Sequence, residues 1–208
     1  MKKLTLAFCI LTFGSSTAYA ASTDLKGDVA AGKAKAATCM ACHGADGNGN
    51  PNNLLWPKLA GQYAGYLVQQ LQAFKAKDRE DPSMTAMVMP LTEPDIINLA
   101  AYFASLPRKN GQANEKLLEL GQRIYRGGNK ESSVAACIAC HGPRGLGNPA
   151  ALYPSIGGQQ AAYSKKQLTD YKSGARKLKN NVFIMHDIAV NMSPEEMEAV
   201  TDYMQGLY

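Results

Sequence analysis

Following Thr92, the apolar residues Ile96, Leu99, Phe103 and Leu106 fall three, four and three positions apart. Following Ser193, Met197, Val200, Met204 and Leu207 repeat that spacing. A period near 3.6 places each set on one helical stripe, facing a core. Thr92-Glu93-Pro94-Asp95 and Ser193-Pro194-Glu195-Glu196 read as N-caps with an acid at the third helical position. Other stretches carry the same period. "QYAGYLVQQLQAFKAK" aligns Tyr63, Leu67, Leu71 and Phe74, and "EKLLELGQRIY" aligns Leu117, Leu120 and Ile124. "DVAAGKAKAATCMACH" is rich in Ala, the best helix former. Strand signals are nearly absent, so the pattern predicts an all-α fold.

The pattern also repeats. "PKLAGQYAGYLVQQLQAFK" begins at Pro57 and "PSIGGQQAAYSKKQLTDYK" at Pro154. In register, Gly61 matches Gly158, Gln62 matches Gln159, Tyr66 matches Tyr163, Gln70 matches Gln167, Leu71 matches Leu168 and Lys75 matches Lys172. Two tandem domains follow, residues 21–107 and 108–208, joined through the polar stretch "PRKNGQANEK". Each is small for a self-sufficient core, so something beyond its own side chains is expected to supply apolar area. Residues 1–20 are set apart as a signal peptide: "MKK" is basic, "LTLAFCILTF" is apolar, and Ala18-Tyr19-Ala20 fits a cleavage site. That predicts export, to the periplasm in a bacterium.

The formal charge is +5, with 22 basic and 17 acidic residues, and Lys2 and Lys3 leave with the signal. No basic run supports nucleic-acid binding. The first domain carries 7 basic and 8 acidic residues and the second 13 and 9. An uneven balance of this kind orients a molecule toward charged partners.

Of five cysteines, Cys9 lies in the signal segment. The other four form Cys39-Met-Ala-Cys42-His43 and Cys137-Ile-Ala-Cys140-His141. A thioredoxin-like motif needs a βαβ setting that the pattern lacks. A zinc site does not explain why His follows at once in both copies. Covalent haem c explains every position: two thiols add across the two porphyrin vinyl groups, and the adjacent His43 or His141 turns an imidazole nitrogen to iron. Two such motifs predict two haem c groups.

Each iron has a second axial position. Apart from the motif histidines the chain has one His, His186, which cannot serve both. In the second half Met185 lies eight residues before the cap Ser193, in a loop, whereas Met192 directly precedes the cap and reads as packing. The same count from Thr92 leads to Met84 in "SMTAMVMP", with Met87 and Met89 matched to Ile188 and Val190 and so read as packing. The repeat thus selects Met84 and Met185, with Met87 and His186 as competitors. His43 and His141 call for backbone acceptors, for which Pro57 and Pro154 are candidates. Gly44, Gly47, Gly49, Gly142, Gly145 and Gly147 suit tight turns at the haem edge. Trp56 and its match Tyr153 suit the haem wall. Lys58, Arg79, Arg126 and Arg176 are unranked candidates to neutralise propionates.

"CMACHGADGNG", "PKLAGQ", "CIACHGPRGLGN" and "IGGQQAAYSKKQLTDYKSGAR" together resemble the dihaem cytochrome c4 family, and the resemblance spans nearly all of the chain after the signal. It implies two cytochrome c-like domains packed with pseudo-twofold symmetry, His–Met ligation in both, and propionates facing each other. The family's first-domain "MTGM" reads "MTAM" here at Met84 to Met87, and its first Met is the ligand. The stretch between "FKAKD" and Met84 is shorter than the family pattern.

The implied function is a periplasmic electron carrier, a monomer loosely held at the membrane surface. It passes single electrons from a membrane-bound donor toward a terminal oxidase, and is not an enzyme. Competing readings are a small dihaem oxidoreductase of peroxidase or thiosulfate dehydrogenase type, and the cytochrome subunit of a larger dehydrogenase.

Overall fold

The computed structural model describes residues 26–176 and 182–208. The signal segment at residues 1–20 lies outside them. Among the described residues ten helices follow in order: α1 Val29–Lys35, α2 Ala37–His43, α3 Ala64–Lys75, α4 Pro82–Val88, α5 Glu93–Ser105, α6 Glu115–Gly127, α7 Ile138–His141, α8 Ala161–Ser173, α9 Val182–Ala189 and α10 Pro194–Gln205. Among the described residues the only β pairings are isolated bridges. No described helix is long and apolar enough to cross a membrane.

Helices α5 and α10 start where the caps were read. The Thr92 hydroxyl accepts from the Asp95 amide while the Asp95 carboxylate accepts from the Thr92 amide. Ser193 and Glu196 form the same reciprocal box. Each box satisfies two otherwise orphaned helix-start donors. Two cores result. One gathers Leu67, Val68, Ile96, Leu99 and Phe103. The other gathers Ile124, Tyr125, Leu168, Met192, Met197, Val200 and Met204.

In each half the first helix crosses the last at a glycine. A Cβ on Gly32 in α1 would stand 2.0 Å from the Asn98 carbonyl oxygen in α5. A Cβ on Gly121 in α6 would stand 2.3 Å from that of Ala199 in α10. Both meet backbone, which cannot rotate away, so only glycine permits the approach. Gly32→Ala is therefore expected to lower stability by about 2 kcal/mol, as overpacking does. Urea unfolding of the haem-loaded protein checks this, and an unchanged midpoint would show that the helices can part freely.

The stretch between the halves is tied to both. Pro107 and Lys109 bind Asn48, through the Asn48 Nδ2–Pro107 O bond at 3.1 Å and the Lys109 N–Asn48 Oδ1 bond at 2.7 Å. From Gly111 the chain binds the second half, with the Gly111 amide 3.0 Å from the Gln205 carbonyl and Gln205 Nε2 2.9 Å from that of Gln112.

Two sequence expectations change. The segments carrying Met84 and Met185 are not loops: they are α4 and α9. Asp81 caps α4 with its carboxylate on the Ser83 and Met84 amides. The cap and Pro82 start a helix too short for hydrophobic periodicity to reveal. Met87 and Met89 are not packing residues either, being 53% and 51% exposed. The repeat aligned Met87 with Ile188, which does pack on its core. Position along the repeat set the alignment, but not which side chains the first half turns outward. Met192 is buried in the core, as read.

Candidate haem site

Helix α2 carries Cys39, Cys42 and His43, and α7 with its cap Cys137 carries the second motif. Three-residue spacing on a helical turn brings the two thiols of each pair to one side. The helix then stops at Gly44, whose φ of +85° is open to glycine and whose added Cβ would lie 2.2 Å from the Gly49 carbonyl oxygen. The turn folds back so that the Gly49 amide donates to the His43 carbonyl at 2.8 Å. In the second half the Gly147 amide donates to His141, also at 2.8 Å.

The histidines are buried, and each donates through Nδ1 to the carbonyl named from sequence: His43 to Pro57 at 2.8 Å and His141 to Pro154 at 3.0 Å. Donation from Nδ1 fixes the tautomer and leaves Nε2 with its lone pair free. Burial pushes both imidazoles below their usual pKa, against an opposing pull from the carbonyl bond. Neutral imidazole is the ligating form. Burial raises the Cys39 thiol, and it pushes the Cys137 thiol up to about 11. A thioredoxin-like motif sits in a βαβ unit, and the described residues pair only as isolated β-bridges.

All of these residues border one continuous cavity of about 1430 Å³ that runs through both halves. Cys39, Cys42, His43 and Met84 line one end, and Cys137, Cys140, His141 and Met185 line the other. Trp56 and Tyr153 lie on its wall. Met84 is half-buried, whereas Met87 touches the cavity rim from an exposed position. His186 is not on the wall, and its Nδ1 lies 2.8 Å from the Tyr171 carbonyl oxygen instead.

Of the four cationic candidates, Lys58, Arg79 and Arg176 line the cavity. Arg126 does not, and its Nε reaches the Tyr203 hydroxyl at 3.3 Å. Arg79 and Arg176 are both buried and pair as an isolated antiparallel bridge. Arg79 donates to Gln70 at 2.7 Å in its own half, and to Gln167 at 2.7 Å and Tyr163 at 3.0 Å in the other. Arg176 mirrors it, donating to Gln167 at 2.7 Å, Gln70 at 2.9 Å and Tyr66 at 2.8 Å. Each guanidinium also lies over a ring of its own half, Phe74 or Tyr171. Tyr66, Gln70 and their matches were visible as a repeat, but nothing in sequence showed that they meet across the interface.

Haem c fits this wall. The thiols, free imidazole nitrogens and thioethers form the donor set of a His–Met haem. Two buried guanidiniums held by neutral oxygens, with Arg176 Nε buried and unpartnered, suit anionic substituents.

The cytochrome c family model matches residues 29–107 and 118–208. Cytochrome c4 of Pseudomonas aeruginosa is 42% identical over 209 residues, covering all of both chains. The chain belongs to the cytochrome c4 family. Its fold agrees with the crystal structure of reduced recombinant cytochrome c4 from Pseudomonas stutzeri, at a TM-score of 0.83 and 42% identity, covering 88% of this chain and all of that one. A thiosulfate dehydrogenase electron acceptor from Thiomonas intermedia is 35% identical, covering 84% of this chain and 81% of that protein. As a cytochrome c4 relative, the protein is a two-domain, all-α electron-transfer cytochrome with two haem c groups.

Proposed function

We propose that this cytochrome shuttles single electrons in the periplasm, between a membrane-bound donor and a terminal oxidase, and has no enzymatic activity of its own. The observation that carries the reading is the shared cavity, in which both donor sets open onto one interior. Cys39, Cys42, Cys137 and Cys140 hold the two groups as thioethers, and His43 with Met84 and His141 with Met185 are the axial ligands. Bound in this way, haem c supplies a one-electron iron couple. The chain's own residues would orient the imidazoles and present the Met84 and Met185 thioethers, weak ligands that raise the potential. Arg79 and Arg176 neutralise propionates. The domains divide as 21–107 and 108–208, after export and loss of residues 1–20. Net charges of −1 and +4 on the two domains support end-on docking at charged partners and a loose hold on the membrane.

The test is oxidation of the reduced, purified protein by membranes containing a terminal oxidase. Oxidation is expected, at a rate that falls as salt rises, because steering charges are screened within about 8 Å at physiological ionic strength. Both irons are expected to be low-spin and indifferent to cyanide. Cyanide binding, or thiosulfate oxidation by the protein alone, would favour the enzymatic reading. The Thiomonas relative supports a second donor assignment, in which this chain accepts electrons from a thiosulfate dehydrogenase. Reduction only when such an enzyme is added separates the two donors.

A further inference from the structure

In each half one glutamine clamps a single residue of the other through both ends of its amide, and both clamps reach the same kind of peptide. Gln159 Oε1 accepts from the Lys58 amide at 2.9 Å, and its Nε2 donates to the Lys58 carbonyl at 2.9 Å. Gln62 does the same to Ser155, accepting at 3.0 Å and donating at 2.8 Å. Each Oε1 also accepts from the next amide of its own chain, Gln160 at 2.9 Å and Tyr63 at 3.0 Å. Neither clamp is an ordinary loop contact. The Lys58 amide belongs to the Pro57–Lys58 peptide, whose carbonyl accepts from His43 Nδ1 at 2.8 Å. The Ser155 amide belongs to the Pro154–Ser155 peptide, whose carbonyl accepts from His141 Nδ1 at 3.0 Å. A single peptide plane thus holds the histidine on one edge and the opposite half's glutamine on the other.

We infer that Gln159 and Gln62 are crosswise positioning residues: Gln159 of the second half sets the ligand strength of His43, and Gln62 of the first half sets that of His141. The inference rests on the haem-ligand reading above. Its physical basis is cooperativity. An amide that donates is polarised, and its carbonyl becomes a stronger acceptor, by roughly 10–30% per bond in such chains. A stronger acceptor at Nδ1 makes the imidazole a more basic ligand. A more basic ligand favours the oxidised iron and lowers the potential. The clamp also fixes the peptide plane, and with it the ring orientation. Docking of the halves is therefore built into both potentials, and each potential depends on a residue that its own domain does not contain.

The experiment uses the full haem-loaded protein with Gln159→Met and, separately, Gln62→Met. Methionine keeps the bulk and removes both hydrogen bonds. In the reduced protein the two imidazole Nδ1–H resonances are assigned through contacts with Pro57 and Pro154, so the assignment does not depend on which Met is the axial ligand. Gln159→Met is expected to move the His43 proton upfield and leave that of His141 in place. It is also expected to raise the reduction equilibrium constant of the first-half haem about threefold, or about 30 mV at ~59 mV per tenfold for one electron. Gln62→Met gives the reverse pattern. Gln159→Glu retains an acceptor for the Lys58 amide and returns the His43 proton to its original position or beyond. Shifts confined to the variant's own half, equal shifts in both halves, or no shift overturn the crosswise assignment. Loss of low-spin c-type spectra in the unmodified protein overturns instead the haem reading on which it rests.

Discussion

Replacing Met84 by alanine is expected to abolish the sulfur-to-iron charge-transfer absorption of one haem and lower its potential by on the order of 0.1–0.3 V. Axial ligand identity spans roughly 0.8 V among haem proteins, and thioether sulfur lies toward the high end. Replacing Met87 by alanine is expected to leave both properties unchanged. The two residues are three apart on α4, so either sulfur is near the cavity. Burial separates them. Met84 is half-buried on the wall, in a turn whose start Asp81 fixes by accepting from the Met84 amide at 3.0 Å. Met87 is 53% exposed, and holding it on iron requires the helix to rotate. Met185→Ala should reproduce the Met84→Ala result in the other half. Survival of the band in Met84→Ala together with its loss in Met87→Ala would move the ligand one turn along the helix.

The second large effect is expected at the interface. Arg176→Met should weaken the protein by about 3 kcal/mol, read as a lower denaturant midpoint with both haems still covalently attached. The methionine retains most of the side-chain bulk. Three charge-assisted hydrogen bonds are lost, two of them to Gln70 and Tyr66 of the opposite half. Each such bond contributes roughly 1.5–3 kcal/mol, and partial rescue by water keeps the sum below the simple total. Arg79→Met should behave alike, because the cluster is pseudo-symmetric. The double variant should lose less than the two singles combined, since the arginines share Gln70 and Gln167 as acceptors. A midpoint unchanged in Arg176→Met would show that the interface is held elsewhere, for instance by the Gln62 and Gln159 clamps.

The parts legible in sequence were those encoded locally. The capping boxes at Thr92 and Ser193 are complete within four residues, and the stripes behind them follow from helix geometry. The Pro57 and Pro154 acceptors also came from local pattern, because the histidine and the proline lie in one short repeated segment. Helix α4 was missed for the same reason in reverse. Seven residues offer too little periodicity, and what starts the helix is a cap and a proline rather than an apolar face. The exposure of Met87 was missed because internal alignment compares positions, not environments, and that of Met89 because its match Val190, itself exposed, was read as a packing hydrophobe.

The sequence by itself determined the cofactor chemistry, the all-α class and the two-fold repeat, because thiol spacing, helical period and self-similarity are properties of the chain alone. Tertiary structure decided what the repeat is for. Gln62 with Gln159, Gln70 with Gln167, Tyr66 with Tyr163, and Arg79 with Arg176 lie 97 residues apart. Their partners lie across an interface that no local signal describes. Only the docked halves bring two buried guanidiniums onto common acceptors and place each glutamine on the peptide behind the other half's histidine. The physical reason is that these bonds pair polar groups contributed by both halves, so they exist only once both cores have formed and docked.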